Sequence, residues 1–176
     1  SVVFGDSLQD GWEEKAKSLG IPMIPDAAVI MCEPESKTGF NWRNGTWVDA
    51  KFKERKRLFK KLPLTKNNCP YDNVESEDND LSKNLPKRKV CIATYWFGET
   101  PREIGNVCEE YYSKLSGQWR SQIICGEKGL LTLKAAISPN GLYHLARLNY
   151  NLLPNPPDNY KDSQYIEWGK CATISP

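Results

Sequence analysis

KRKVCIATYWFGETPREIGNVCEEYYSKLSGQWRSQIICG, residues 87–126, is the stretch whose reading decides the fold. It divides into an apolar run, a segment with helix-boundary signals and a second apolar run. Residues 89–97 and 118–125 are rich in β-branched and aromatic side chains and read as strands. Between them, Thr100, Pro101 and Glu103 fit an N-cap, a first-turn proline and a capping-box glutamate. Ile104, Val107, Cys108, Tyr111 and Leu115 follow at the spacing of one helical face, Lys114 suits a last turn, and Gly117 supplies a stop. The spacing therefore predicts a helix over 101–116, with Cys108 on its inward face.

Working outward, residues 7–19 predict another helix, capped by Asp6 or Ser7, with Leu8, Trp12, Ala16 and Leu19 on one side. Residues 1–5 read as a short strand. Gly39 to Val48 predict a hairpin, because Asn44-Gly45 is the dipeptide that most readily adopts two positive φ angles. That turn sets Trp42 opposite Trp47, and such aromatic pairs gain about 0.5–1.5 kcal/mol beyond burial. Residues 129–137 and 142–149 predict two further strands around Ser138-Pro139-Asn140-Gly141, and Gln164 to Ser175 a last one. Residues 63–86 and 151–162 read as long loops. The expectation is a single α+β domain over 1–176, with a mostly antiparallel sheet of six to eight strands, two helices and disulfide staples.

Six cysteines, even in number and with no Cys-x-x-Cys pair, accompany one histidine, His144. Scattered cysteines with a lone histidine argue against zinc, which needs clustered ligands, and for disulfides formed in an oxidising compartment. A start at Ser1 rather than methionine fits a chain trimmed after export. The compartment expected is extracytoplasmic, secreted or periplasmic. Six cysteines allow fifteen pairings. Cys108–Cys125, Cys69–Cys91 and Cys32–Cys171 are preferred, with the alternatives open. The net charge of +2 points to no class of partner, and no apolar run is long enough for a membrane helix.

Three functional readings follow. The first is a non-enzymatic exported binding protein, a subunit of an extracytoplasmic assembly or an inhibitor or effector, working by protein–protein contact. No cofactor loop, metal constellation or carboxylate pair suggests chemistry, whereas six tryptophans and eight tyrosines supply interface anchors. Trp42 and Trp47 would form an aromatic platform for a protein or a sugar, and Asn44-Gly45-Thr46 is an N-glycosylation sequon at the turn. The second reading rests on Val2-Val3-Phe4-Gly5-Asp6-Ser7-Leu8, which resembles the first block of the GDSL (SGNH) esterase and lipase family. The resemblance implies Ser7 as nucleophile, with His144 as the only histidine able to serve as base. The chain departs from that family in having no Gly-x-Asn-Asp block and in placing Gly141, not aspartate, three residues before His144. A serine with no oriented base is a poor nucleophile. Helix capping is the simpler role for Asp6 and Ser7.

The third reading is a nucleic-acid or anionic-surface binder through residues 51–61, where seven of eleven residues are basic. Phe52, Leu58, Phe59 and Leu62 interleave with that run like buried strand positions, and an acidic run (Glu75, Glu77, Asp78, Asp80) follows it. Thr38-Gly39-Phe40-Asn41-Trp42, Asn44-Gly45-Thr46-Trp47 and Gly169-Lys170-Cys171 also resemble small exported bacterial proteins of unknown function. That resemblance carries no site residues.

Overall fold

The computed structural model describes residues 6–21, 24–70, 87–115, 117–126, 131–139, 141–149 and 163–175, and among these residues there are nine strands and one helix. They are α1 (Asp6–Ser18), β1 (Val29–Arg43), β2 (Thr46–Asp49), β3 (Arg57–Leu62), β4 (Lys87–Trp96), β5 (Asn106–Leu115), β6 (Gln118–Gly126), β7 (Leu131–Ile137), β8 (Leu142–Asn149) and β9 (Ser163–Ser175). The architecture is mostly antiparallel β, with one short helix, so the α+β expectation is corrected. The expected strand 1–5 and loop 151–162 lie outside the described residues, as does 71–86 of the other loop.

The correction centres on 101–116. Asn106–Leu115 is strand β5, paired with β4 on one side and β6 on the other. Its core reads Val107-Cys108, Glu109-Glu110, Tyr111-Tyr112, in which apolar and acidic residues come in twos. Doubling places apolar side chains at i, i+1, i+4 and i+5, which imitates a helical stripe, while a strand sends one member of each pair to each face. Cys108, Glu110 and Tyr112 are all buried, so the interior side carries a carboxylate that a hydrophobic count reads as exposed. Ile104, buried in the helical reading, is 61% exposed. Gly117, with φ +81°, turns a hairpin in which Leu115 pairs with Gln118, instead of ending a helix.

The sheet runs β2-β1-β3-β4-β5-β6-β7-β8-β9 and curls into a half-barrel. β9 pairs with β8 on one side and with most of β1 on the other, which brings the last strand back to the first. Closing strands on one another leaves fewer unpaired edges than a flat sheet would. β1 is long enough to pair with β3 through Val29–Cys32 and with β2 through Phe40–Arg43 along the same edge. The β1–β2 turn has Asn44 at φ 50° and Gly45 at φ 74°, and Trp42 faces Trp47.

Inside the curl, Ile30, Phe59, Val90, Ile92, Ile123, Ile137 and Leu145 form the main core. On the opposite face of β3–β5, Leu62, Cys69, Cys91, Ala93 and Val107 make a second cluster. Helix α1 packs against β4, with Ala16 and Ile21 against Tyr112 of β5. The three disulfides are Cys32–Cys171, Cys69–Cys91 and Cys108–Cys125, the preferred pairing. The first and third join residues on neighbouring strands, and the second fastens the segment after β3 to β4. They are consistent with an extracytoplasmic location. No helix among the described residues is long and apolar enough to cross a membrane.

Candidate functional site

Two ionic clusters lie at opposite ends of the core, placed there by the ladder register. At the end where β9 begins and β1 finishes, Arg57 Nε donates to Glu167 Oε1 at 3.0 Å and its Nη2 donates to the Tyr165 hydroxyl at 2.9 Å. Tyr143 donates its phenol proton to Glu167 Oε1 at 2.8 Å, and Lys37 Nζ sits 3.4 Å from Glu167 Oε2. The cations also use aromatic faces: Lys37 Nζ lies 3.9 Å from the Tyr165 ring centroid, and the Arg57 guanidinium lies 3.9 Å from that of Trp96. Burial alone would raise the Glu167 carboxyl, but Arg57, Tyr143 and Lys37 together outweigh it and hold the group below the usual glutamate range. Burial, and then the neighbouring carboxylate, raise the Tyr143 phenol.

At the other end, Arg88 Nε donates to Glu110 Oε2 at 2.7 Å and Nη1 donates to Glu13 Oε1 of α1 at 3.1 Å. Ser121 donates to Glu110 Oε1 at 2.8 Å. Lys61 Nζ donates to the Ile24 carbonyl at 2.7 Å, and burial first, then Arg88, push its ammonium below the usual lysine value. In both clusters the carboxylates are engaged by cations and hydroxyls. Such an arrangement orients strands and is poorly suited to moving protons to or from a substrate. Between the clusters, a cavity of about 40 Å³ is lined by Phe59, Ile92, Thr94, Asn106, Cys108, Cys125, Gly126 and Ala135. That is space for a water or two or for one end of a ligand whose body stays outside, not for a whole metabolite.

The basic run 51–61 is largely committed to local partners. Arg55 pairs with Glu99, Lys56 with Glu33, Arg57 with Glu167, Lys60 with Glu103 and Lys61 with Asp26. Arg57 and Lys61 moreover point into the core. The run therefore presents far less outward charge than its composition suggests, which weakens the electrostatic case for a nucleic-acid surface.

Ser7 lies in the first turn of α1, and α1 packs on β4. His144 is exposed on the outer face of β8, opposite Trp168. Since β4 and β8 are four strands apart in the sheet order, the fold does not bring α1 and His144 together as a dyad would require. Trp42 and Trp47 meet edge-on, with ring centroids 5.4 Å apart and planes at 70°. Trp42 is buried, so the pair is a hairpin clasp more than an open platform. Asn44 is exposed at the turn. Among the described residues, no group of three or more His, Cys, Asp or Glu side chains could hold a metal ion.

The feature that sequence reasoning missed is an apolar outer face. Of eight large apolar side chains exposed among the described residues, five (Phe40, Leu142, Ile166, Trp168 and Ile174) point outward from the adjacent strands β1, β8 and β9. Ile166 lies between Thr38 and Ala146, and Trp168 between Ser36 and His144. The charges on this face are tied together: Lys170 Nζ is 2.8 Å from Glu35, which raises the Lys170 ammonium, and Lys56 is 3.2 Å from Glu33. No family model, curated protein or solved structure matches this chain. The functional reading therefore rests on geometry. A signal for the outer face was present in β9, where Ile166, Trp168 and Ile174 alternate with Tyr165, Glu167 and Cys171, so that both faces of the strand carry apolar side chains.

Proposed function

We propose that this protein is a non-enzymatic binding protein, secreted or periplasmic, and a subunit of an extracytoplasmic assembly held by protein–protein contact. The observation that carries the reading is the outer face of β1, β8 and β9, with Trp168 and Ile166 at its centre. Exposed apolar side chains scattered singly need no explanation, but five gathered on three adjacent strands fit a docking surface. Tryptophan at the middle of such a patch is a common energetic anchor. The partner that fits is a different protein chain presenting a flat, apolar and charge-poor surface. Lys170 and Glu35 neutralise each other, as do Lys56 and Glu33, so the face offers no net charge to steer an acidic or basic ligand.

The test is the native size of the protein in its source material, for wild type and for Trp168→Arg combined with Ile166→Asp. Wild type should fractionate well above 20.1 kDa, and the variant should shift to the monomer while keeping its circular dichroism. A variant that stays in the large species removes this face from the interface. A purified wild-type chain that reproduces the large species alone would make the occupant a second copy and overturn the choice of a different partner.

A further inference from the structure

Five of the six cysteines are buried: Cys32, Cys91 and Cys108 at 0%, Cys69 at 6% and Cys171 at 7% exposure. Cys125 is the exception, only partly buried and packed against the core from its margin. The same disulfide lines the small cavity, with Thr94, Asn106 and Gly126 beside it and Phe59 and Ile92 completing the wall. A disulfide is opened by a thiolate that reaches one of its sulfurs, so access decides which bond exchanges first. Of the two, Cys125 is the more exposed residue and so the one that an incoming thiolate reaches first.

We propose that Cys108–Cys125 is a thiol-exchange site that takes a low-molecular-weight thiol at Cys125. The incoming thiolate RS⁻ forms a bond to Cys125 Sγ as the Cys125–Cys108 bond breaks. The electron pair leaves on Cys108 Sγ, which takes a proton from solvent. The Asn106 carbonyl, 3.6 Å from Cys108 Sγ, is placed to accept a hydrogen bond from that new thiol. A second thiolate attacks the outer sulfur of the adduct and releases RSSR and the Cys125 thiolate. Two RSH are thereby oxidised, and the protein disulfide is reduced by two electrons.

The fold is built to survive this opening. β5 and β6 remain laddered from Glu109↔Ile124 to Leu115↔Gln118. Beyond them, Val90↔Cys108 holds β5 to β4, and Cys125↔Ala135 holds β6 to β7. Both cysteines therefore keep a neighbouring strand after the bond is gone.

The experiment treats the folded chain with graded glutathione, quenches in acid, alkylates under denaturing conditions and maps the peptides. The first glutathione adduct should appear on Cys125, with Cys108 alkylated. Exchange at this pair should run at least about tenfold faster than at the other two, with the circular dichroism unchanged. Thr94→Phe, which fills the cavity margin, should slow the Cys125 adduct by about tenfold and leave the other pairs unaffected. A first adduct on Cys108, earlier loss of Cys69–Cys91 or Cys32–Cys171, or loss of all three pairs together would each overturn the assignment, and an unchanged rate in Thr94→Phe would overturn the route through the cavity.

Discussion

Arg57 and Glu167 are 110 residues apart in sequence, yet Arg57 Nε donates to the Glu167 carboxylate at 3.0 Å inside the curl of the sheet. They stand on β3 and β9, the strands that flank β1, so this bond spans the seam where the last strand returns to the first. Lys37 of β1 reaches the same carboxylate. One buried anion thus organises three strands, and it is shared by buried Arg57 and partly buried Lys37.

Removing that anion should be the most damaging polar change at the seam. Glu167→Gln strands both Arg57 and Lys37 in a poorly solvated site, and breaking a buried ion pair costs about 3–5 kcal/mol. Lys37→Met leaves the Arg57–Glu167 pair intact and one to one, and should cost distinctly less. Urea midpoints of the two variants decide the order, and a milder effect for Glu167→Gln would refute the shared-anion account.

The same carboxylate predicts a loss of stability in acid. Its folded-state value lies below the ordinary glutamate range, so its contribution is complete above about pH 4.3 and is lost as pH falls through the depressed folded value. Unfolding midpoints measured from pH 6 down to pH 2 should fall less steeply below pH 4 in Glu167→Gln than in wild type.

The disulfides should differ in weight because they close loops of different length. Cys32 and Cys171 are separated by 139 positions, and Cys108 and Cys125 by 17. Chain-entropy reasoning gives about 5 kcal/mol for the long closure and about 3 kcal/mol for the short one. Paired Cys→Ala variants compared by denaturant unfolding should show the larger loss for Cys32/Cys171.

Strand β5 makes a prediction that a helix would not. Ile104→Ser should change stability by no more than about 0.5 kcal/mol, as for an exposed position. Val107→Ser should cost about 1–3 kcal/mol, because Val107 packs with Leu62, Cys69, Cys91 and Ala93. Comparable losses at the two sites would point back to a helical face.

At the hairpin, the edge-on Trp42–Trp47 pair should show a coupling of about 0.5–1.5 kcal/mol in a double-mutant cycle built from Trp42→Leu and Trp47→Leu. A coupling near zero would leave the pair as simple burial.

At the turn and in several strands the residues alone determined the outcome, whereas the equally clear helix signals of 101–116 were overridden by β5. Asn44-Gly45 demanded a two-residue turn and thereby set Trp42 against Trp47. The stretch expected as a helix from 7 to 19 is α1, Asp6–Ser18, and Leu131–Ile137, Leu142–Asn149 and Ser163–Ser175 fall where β-rich runs were read. Six scattered cysteines already implied an oxidised chain. Tertiary structure decided what nearest neighbours in sequence do not encode. Val107 to Tyr112 became a strand because β4 and β6 offered ladders on both sides and Arg88 and Ser121 accepted Glu110 into the interior. Composition also could not show that the basic run 51–61 is largely paired off, or that Phe40, Ile166 and Trp168 share one outer face. Those facts depend on strand register, which sets which side chains meet across tens of residues, and register is a property of the closed sheet rather than of any one segment.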